Sequence, residues 1–473
     1  MAQLPHKDKE SWGKTKEKLK GLEPKNITEL NTIFFDGKIK FFDEIDKLYT
    51  QEGKEFINIF KYLRDLALDL ENLMEEEIPL LEKDSFESEY KLTRKKVALV
   101  FFLSFFNLID TKQFKERETN PFVVFEVLSS SYNTSFQFGR CFLNYLTIIG
   151  KWLEEDNKIL NEEIKYIRDS KGLSYYKQYE GKKLCDIQII DKGSLFDGDA
   201  SYCVDFANMF IGGGCLEGGC VQEEIFFATH PEAVVSMFFM EVMSDNDAIR
   251  IDNLIKFSDY EGYAHSFKFD KSAINKDTNL ETIKKINIIA IDAVVCFSQK
   301  YGMIDSENIQ RDIHKAYVGF SLIFYGREKP NEPKNNNEKG KKSKKDKNIK
   351  KEKTKEEKLE EDKNSISTGN WGCGAFRGDN ELKFLEQWVS ASFAGVQRLD
   401  YYTYGSKRMN PIIERLDEIK STYTNAYELY ETLVNKTFVE GEILQVILDD
   451  DDKDKLKKKG KSKDGKGGKC SII

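Results

Sequence analysis

The chain has 473 residues, of which 40 % are hydrophobic and 12 % aromatic. At roughly 100–200 residues per domain this is enough for two or three domains with a sizeable core. Phe is plentiful (34) and Pro scarce (8), which favours long helices and packed aromatic layers over an all-β fold. A net charge of −8 argues against a sequence-specific nucleic-acid partner, and the 8 cysteines form neither a CxxC pair nor a Cys–His cluster at zinc spacing, so no metal or other cofactor is expected.

The N-terminal MAQLPHKDKESWGK has no apolar signal-peptide core, so the chain is expected to be made and kept in the cytoplasm or nucleus. Phe34–Leu70, Val97–Ile109 and Phe142–Leu153 place apolar residues at three- and four-residue spacing and predict helices. The run VALVFFLSFFNLI at Val97–Ile109 falls short of the ~20 residues a membrane span needs and reads as a buried helix. Residues 1–170 are therefore expected to form an all-helical accessory region.

From about residue 171 the pattern changes. Cys185–Ile190, Tyr202–Phe206, Ile249–Leu254, Tyr263–Phe269 and Ile286–Val295 are strand candidates, and helices lie between them. Thr229 and Glu232 have capping-box spacing, with Pro231 in the first turn, which predicts a helix through Met243. Glu307–Phe320 and Asn380–Ala394 are further helices. Such alternation implies a layered α/β domain over 171–448. Residues 327–366 are almost all Lys, Glu, Asn and Asp; they cannot bury enough apolar surface to offset ordering and predict a disordered insertion. Residues 449–473 are likewise a charged tail. It ends Cys470-Ser471-Ile472-Ile473 after the lysine-rich Lys453–Lys469, the form of a CaaX box with a polybasic flank. On this reading Cys470 takes an isoprenoid and the tail meets an anionic membrane surface.

Two glycine clusters punctuate the α/β region. Gly212-Gly213-Gly214 follows a strand, and Gly369 to Asp379 (GNWGCGAFRGD) precedes a helix. Consecutive amides in such loops can converge on an anion, and two facing loops would suit a diphosphate. Neither is a P-loop or a GxGxxG fingerprint. The first is followed closely by Gln222-Glu223-Glu224 in an otherwise apolar segment. Alone, that acidic pair reads equally well as a solvated helix start.

The complete string VDFANMFIGGGCLEGGCVQEE resembles the signature of the poly(ADP-ribose) glycohydrolase family, a GGG…QEE loop on a macrodomain. Gly262-Tyr263-Ala264, Thr368–Phe376 (TGNWGCGAF) and Tyr401–Gly405 (YYTYG) resemble further family elements, and the likeness runs from about 171 to 448, with the 327–366 block as an insertion. The helical N-terminal region resembles the family's accessory domain more loosely. The resemblance implies a three-layer α/β/α macrodomain-like fold. It also implies hydrolysis of ribose–ribose O-glycosidic bonds in poly(ADP-ribose) carried on modified proteins, releasing ADP-ribose.

The resemblance also implies roles for individual residues. Glu224 becomes the catalytic acid and then the base toward water, because bond breaking at ribosyl C1 builds oxocarbenium character and the leaving oxygen needs a proton. Glu223 would hold ribose hydroxyls. Asn208 would fix the ribose at the scissile bond, and Gln222 would contact the substrate beside it. The amides of Gly213, Gly214 and the Gly374-Ala375-Phe376 loop would hold the diphosphate, Phe376 would pack on ribose, Tyr263 would close over the ligand and Tyr404 would stack on adenine. One departure concerns the acidic residue that reads the adenine edge in many members. The matching stretch here, Ser194–Asp197, is one residue shorter and leaves that role unassigned. The competing reading is a macrodomain that binds ADP-ribose without cutting; it has no chemical use for both Glu223 and Glu224.

Overall fold

The computed structural model describes residues 3–5, 8–173, 176–296, 303–327 and 364–448. The expected insertion, except for its ends, and the whole tail with Cys470 lie outside these residues.

The strands are β1 (Ser88–Thr93), β2 (Glu163–Ser170), β3 (Asp186–Ile190), β4 (Tyr202–Ala207), β5 (Asp247–Leu254), β6 (Ser258–Glu261), β7 (Lys268–Ser272), β8 (Ile286–Asp292), β9 (Met303–Ile304), β10 (Ser365–Gly369), β11 (Arg398–Tyr402) and β12 (Phe438–Val439). Eight of them form one sheet in the order β1-β2-β5-β8-β4-β10-β11-β3. The half running from β8 to β3 is parallel, while β1, β2 and β5 extend it antiparallel.

The sheet is buried on both faces, which explains why β8 reads INIIAID with no polar alternation. Ile288 and Ala290 join the core on one face, and Ile289 and Ile291 the core on the other. The first core contains helices Thr50–Leu68, Arg94–Phe105, Asn133–Glu154 and Gln222–Thr229. The second contains Ser306–Ser321, Asn380–Ala394, Asn410–Thr422 and Ala426–Asn435. The result is the three-layer α/β/α arrangement expected. Helix Arg94–Phe105 is buried almost throughout, and among the described residues no helix is long and apolar enough to cross a membrane.

Four expectations need correction. The N-terminal region is not all helical, because it contributes β1 and β2 to the main sheet. β2 is held there by Arg168, which is fully buried and pairs with Asp247 of β5 at 2.7 Å. The helix expected over Phe34–Leu70 is three helices, Ile27–Phe35, Lys40–Leu48 and Thr50–Leu68, broken where Asp36 (φ 53°) and Gly37 (φ 73°) turn left-handed.

The helix expected from Thr229 to Met243 does not form. Thr229 instead ends helix Gln222–Thr229, its hydroxyl donating back to the carbonyls of Ile225 and Phe226. Glu232 is buried against the Arg94 guanidinium instead of capping. Breaking such a buried pair typically costs about 3–5 kcal/mol, more than a cap contributes. Lastly, within Tyr263–Phe269 only Lys268 and Phe269 are strand, as the start of β7, and the residues before them are the corner between β6 and β7. Gly262 (φ 77°) and Ala264 (φ 51°) make the turn, and the Tyr263 amide donates to Ser266 Oγ at 3.0 Å.

Candidate active site

The two glycine loops leave the C-terminal ends of neighbouring parallel strands, β4 and β10, where α/β sheets commonly bind ligands. The strands pair only at Tyr202–Cys203 with Ile366–Ser367. Past that point Gln222 takes over the pairing of β4: its Oε1 accepts from Phe206 N at 2.9 Å and its Nε2 donates to Val204 O at 3.1 Å. Gln222 lines the cavity described below, but its amide is engaged with the strand, a backbone role in place of the expected substrate contact.

The first loop is a socket for carboxylates. Glu223 accepts from Gly212 N at 2.7 Å and Asn208 N at 2.9 Å. Glu224 accepts from Gly214 N at 3.0 Å and Val221 N at 2.8 Å. Gly213, at φ 50°, lies so close to both that an added Cβ would stand 2.5 Å from Glu224 Oε1 and 2.6 Å from Glu223 Oε2. The amide of Gly213 donates to Phe210 O. The expected diphosphate contacts of Gly213 and Gly214 are therefore corrected: both amides serve the turn itself, and neither glycine lines the cavity. Glu223 and Glu224 each use both oxygens on backbone amides, and both residues line the cavity.

Asp205, two residues before the end of β4, is fully buried, and neither of its oxygens has a hydrogen-bond partner among the described residues. Burial, with Glu224 nearby, holds its carboxyl well above the ordinary range. Burial also raises Glu223, with Asp205 and Glu224 adding to the effect. A lone acid inside the apolar run YCVDFA is the sequence signal for Asp205, and the motif does not single it out.

The second loop is built differently. Trp371 is buried and donates from Nε1 to Ile291 O at 2.9 Å, which anchors the loop to β8. Beneath it lies Lys383, ion-paired with Asp312 and Glu386. Asp379 caps helix Asn380–Ala394 by accepting from Leu382 N at 3.0 Å. Between these anchors, the amides of Gly374, Ala375 and Phe376 have no hydrogen-bond partner among the described residues.

One cavity of ≈ 1050 Å³ joins the two loops, at the upper end of what ligand sites enclose. Its wall includes Asn208, Gln222, Glu223 and Glu224 from the first loop and Gly374, Ala375 and Phe376 from the second. Tyr263 (54 % exposed) and Tyr404 (48 % exposed) stand at its margin. The Asn208 side chain accepts from Phe210 N at 3.0 Å, which fixes its orientation in the turn.

The Ser194–Asp197 stretch also enters this wall, tied down by Lys284 Nζ donating to the carbonyls of Phe196 and Gly198. Phe196 packs on Phe226 (4.4 Å between ring centroids), and Phe226 on His230 (3.9 Å). Burial pushes His230 down to about 3, so this ring is neutral at physiological pH. Lys256 and Arg408 add cations to the wall; they are far apart in the sequence, and only the fold brings them here. Among the described residues no group of three or more His, Cys, Asp or Glu is placed to hold a metal.

This geometry agrees with what the comparisons with known proteins find. Residues 174–411, just over half the chain, match the family model for poly(ADP-ribose) glycohydrolase with the macro domain fold. Residues 49–168 match the model for the helical domain of the same family. A probable poly(ADP-ribose) glycohydrolase 2 of Arabidopsis thaliana is 29 % identical over 307 residues, covering 62 % of this chain and 58 % of the relative. Poly(ADP-ribose) glycohydrolase 1 of the same plant is 34 % identical over 257 residues, covering 47 % and 46 %. Poly(ADP-ribose) glycohydrolase 1 of Caenorhabditis elegans is 26 % identical over 403 residues, covering 80 % and 44 %. The chain thus spans about half the length of these relatives. Its macro-fold and helical parts match the two models side by side, and the chain belongs to the poly(ADP-ribose) glycohydrolase family.

Proposed function

We propose that this protein hydrolyses the ribose–ribose O-glycosidic bonds of poly(ADP-ribose) on modified proteins and releases ADP-ribose. The observation that carries the reading is the shared cavity: Glu224 lines it, and so do Gly374, Ala375 and Phe376, whose amides have no hydrogen-bond partner among the described residues. The amides of Gly374, Ala375 and Phe376 would receive the diphosphate, and Tyr404 the adenine. The distal ribose then lies toward Glu224.

The Glu224 carboxyl gives its proton to the oxygen leaving C1 of that ribose, which becomes the 2′-hydroxyl of the next unit. Positive charge builds on C1 as the bond breaks. The carboxylate formed takes a proton from water, whose oxygen bonds to C1, and the original acid is restored. Glu223, fixed by two amides, holds the turn that presents Glu224. Asn208 stands beside it to orient the ribose.

The test is direct. Purified protein is incubated with poly(ADP-ribose), and free ADP-ribose is quantified by chromatography. Release by the wild type and none by Glu224→Gln supports the reading. Binding of ADP-ribose without any release would make the protein a reader.

A further inference from the structure

Asn120 belongs to the helical region, yet its side chain reaches the turn that carries the two glutamates. Its Nδ2 donates to Ile211 O at 3.0 Å and to Gly213 O at 2.8 Å, and the residue is buried. These two carbonyls have particular neighbours. The Ile211 carbonyl shares a peptide unit with the Gly212 amide, which donates to Glu223. The Gly213 carbonyl shares one with the Gly214 amide, which donates to Glu224. A peptide unit is planar, with its C=O and N–H pointing in opposite directions, so holding one end sets the direction of the other.

We infer that Asn120 is a positioning residue for the hydrolysis: through two peptide planes, one side-chain amide aims the two N–H groups that hold Glu223 and Glu224. The glycines make this necessary. A turn with Gly212 at φ 86° and Gly213 at φ 50° has wide conformational freedom, and Gly213 cannot carry a side chain to restrict it. An external clamp supplies the restriction. The bonds also polarise one another in series, from Asn120 through the peptide to the carboxylate. A second brace from the same region acts on the far side of the loop, where the Tyr132 ring packs so close to Gly218 that an added Cβ would stand 3.0 Å from Cδ2. The helical region is therefore part of the catalytic apparatus and not only a support for the sheet.

This inference rests on the hydrolytic reading of Glu224, and the experiment separates the two. The full chain is prepared as wild type, Asn120→Ala and Asn120→Asp. The aspartate variant keeps the shape of the side chain but turns an oxygen, not a donor, toward the two carbonyls. For each protein we would measure kcat and KM on polymer, ADP-ribose Kd by calorimetry, and Tm. Loss of an outer partner that orients a metal ligand typically costs about 10–100-fold in activity, and the same scale is taken here for a partner that orients a carboxylate. Both variants are expected to lose kcat by that factor, while KM and ADP-ribose Kd stay near wild type. A wild-type kcat in either variant overturns the inference, and so does a loss of ADP-ribose affinity as large as the loss of kcat. If neither variant folds, Asn120→Ser, whose hydroxyl can still serve one carbonyl, is measured by the same criteria; failure of all three to fold overturns the inference in favour of a purely structural role. If the wild type itself releases no ADP-ribose, the hydrolytic reading has failed, whatever the variants do.

Discussion

The loops at Gly212–Gly214 and Gly372–Gly378 are alike in composition and opposite in use. In the first, the amides of Gly212 and Gly214 point at the protein's own carboxylates, and Gly213 is bare because two carboxylate oxygens press against it. In the second, the amides at 374–376 have no partner among the described residues, and a Cβ on Gly374 would meet nothing within 4 Å. A run of glycines therefore reports that something approaches the backbone closely. What approaches depends on the surrounding fold: here two buried carboxylates in one loop, and open cavity in the other.

The largest expected effect tests what the first loop holds. Glu224→Gln keeps the shape of the side chain and removes its proton, so polymer turnover should fall by at least the ~10²–10⁴-fold that general acid catalysis contributes. ADP-ribose affinity should stay close to wild type, because the second loop is untouched. Single-turnover kinetics with calorimetry measures both, and near-wild-type turnover would take Glu224 out of the reaction.

The same substitution made in both loops sharpens the contrast. Gly213→Ala pushes a methyl group against Glu223 and Glu224, and a shift of about 1 Å in a catalytic group can cost on the order of 100-fold in kcat. Gly374→Ala adds a methyl group that meets no protein atom, so kcat should hold, and any effect through the diphosphate contact should fall on KM. Equal effects at the two sites would break the distinction between them.

Tyr404→Ala tests the binding side. Stacking of an aromatic side chain on a base contributes ~1–3 kcal/mol, so ADP-ribose Kd should weaken about tenfold while kcat at saturation holds. A change in kcat alone would place Tyr404 elsewhere in the reaction.

The smallest effect concerns the acid behind the first loop. Because the Asp205 carboxyl is held well above its ordinary value, the folded chain binds this proton more tightly than the unfolded chain does. Its contribution to stability is complete below about pH 4, where the unfolded carboxyl is also protonated, and is lost as pH rises through the folded value. Asp205→Asn cannot ionise, so Tm should fall less than in wild type as pH rises from acid to neutral. Gly374→Ala should leave that pH profile unchanged. Thermal melts across the range decide it; parallel curves for Asp205→Asn and wild type would show that Asp205 does not contribute.

Much of this protein is legible in the order of its residues, because many of its signals are local. Helices Ser306–Ser321 and Asn380–Ala394 follow from apolar spacing, and β4 and β8 from short β-branched runs. Glu223 and Glu224 at the cavity wall are marked by a motif contained in one stretch of chain. Local spacing fails where a distant charge or donor competes. The T-x-x-E string at Thr229 has capping-box form, but Glu232 is drawn to Arg94, 138 residues away in sequence. The glycine triplet has the look of an anion cradle, but the amides of Gly212 and Gly214 are taken by Glu223 and Glu224 and that of Gly213 by Phe210 O, while Asn120, 91 residues before Ile211, holds the carbonyls of Ile211 and Gly213.

By itself the sequence determined the family and many of the elements of the α/β region, each carried by residues close together in the chain. Only the tertiary structure decided that β1 and β2 complete the sheet, that the amides of Gly212 and Gly214 serve carboxylates, and that the helical region grips the turn that carries Glu223 and Glu224. Those outcomes depend on which buried donors find which acceptors, and that pairing exists only once the chain has closed on itself and excluded water.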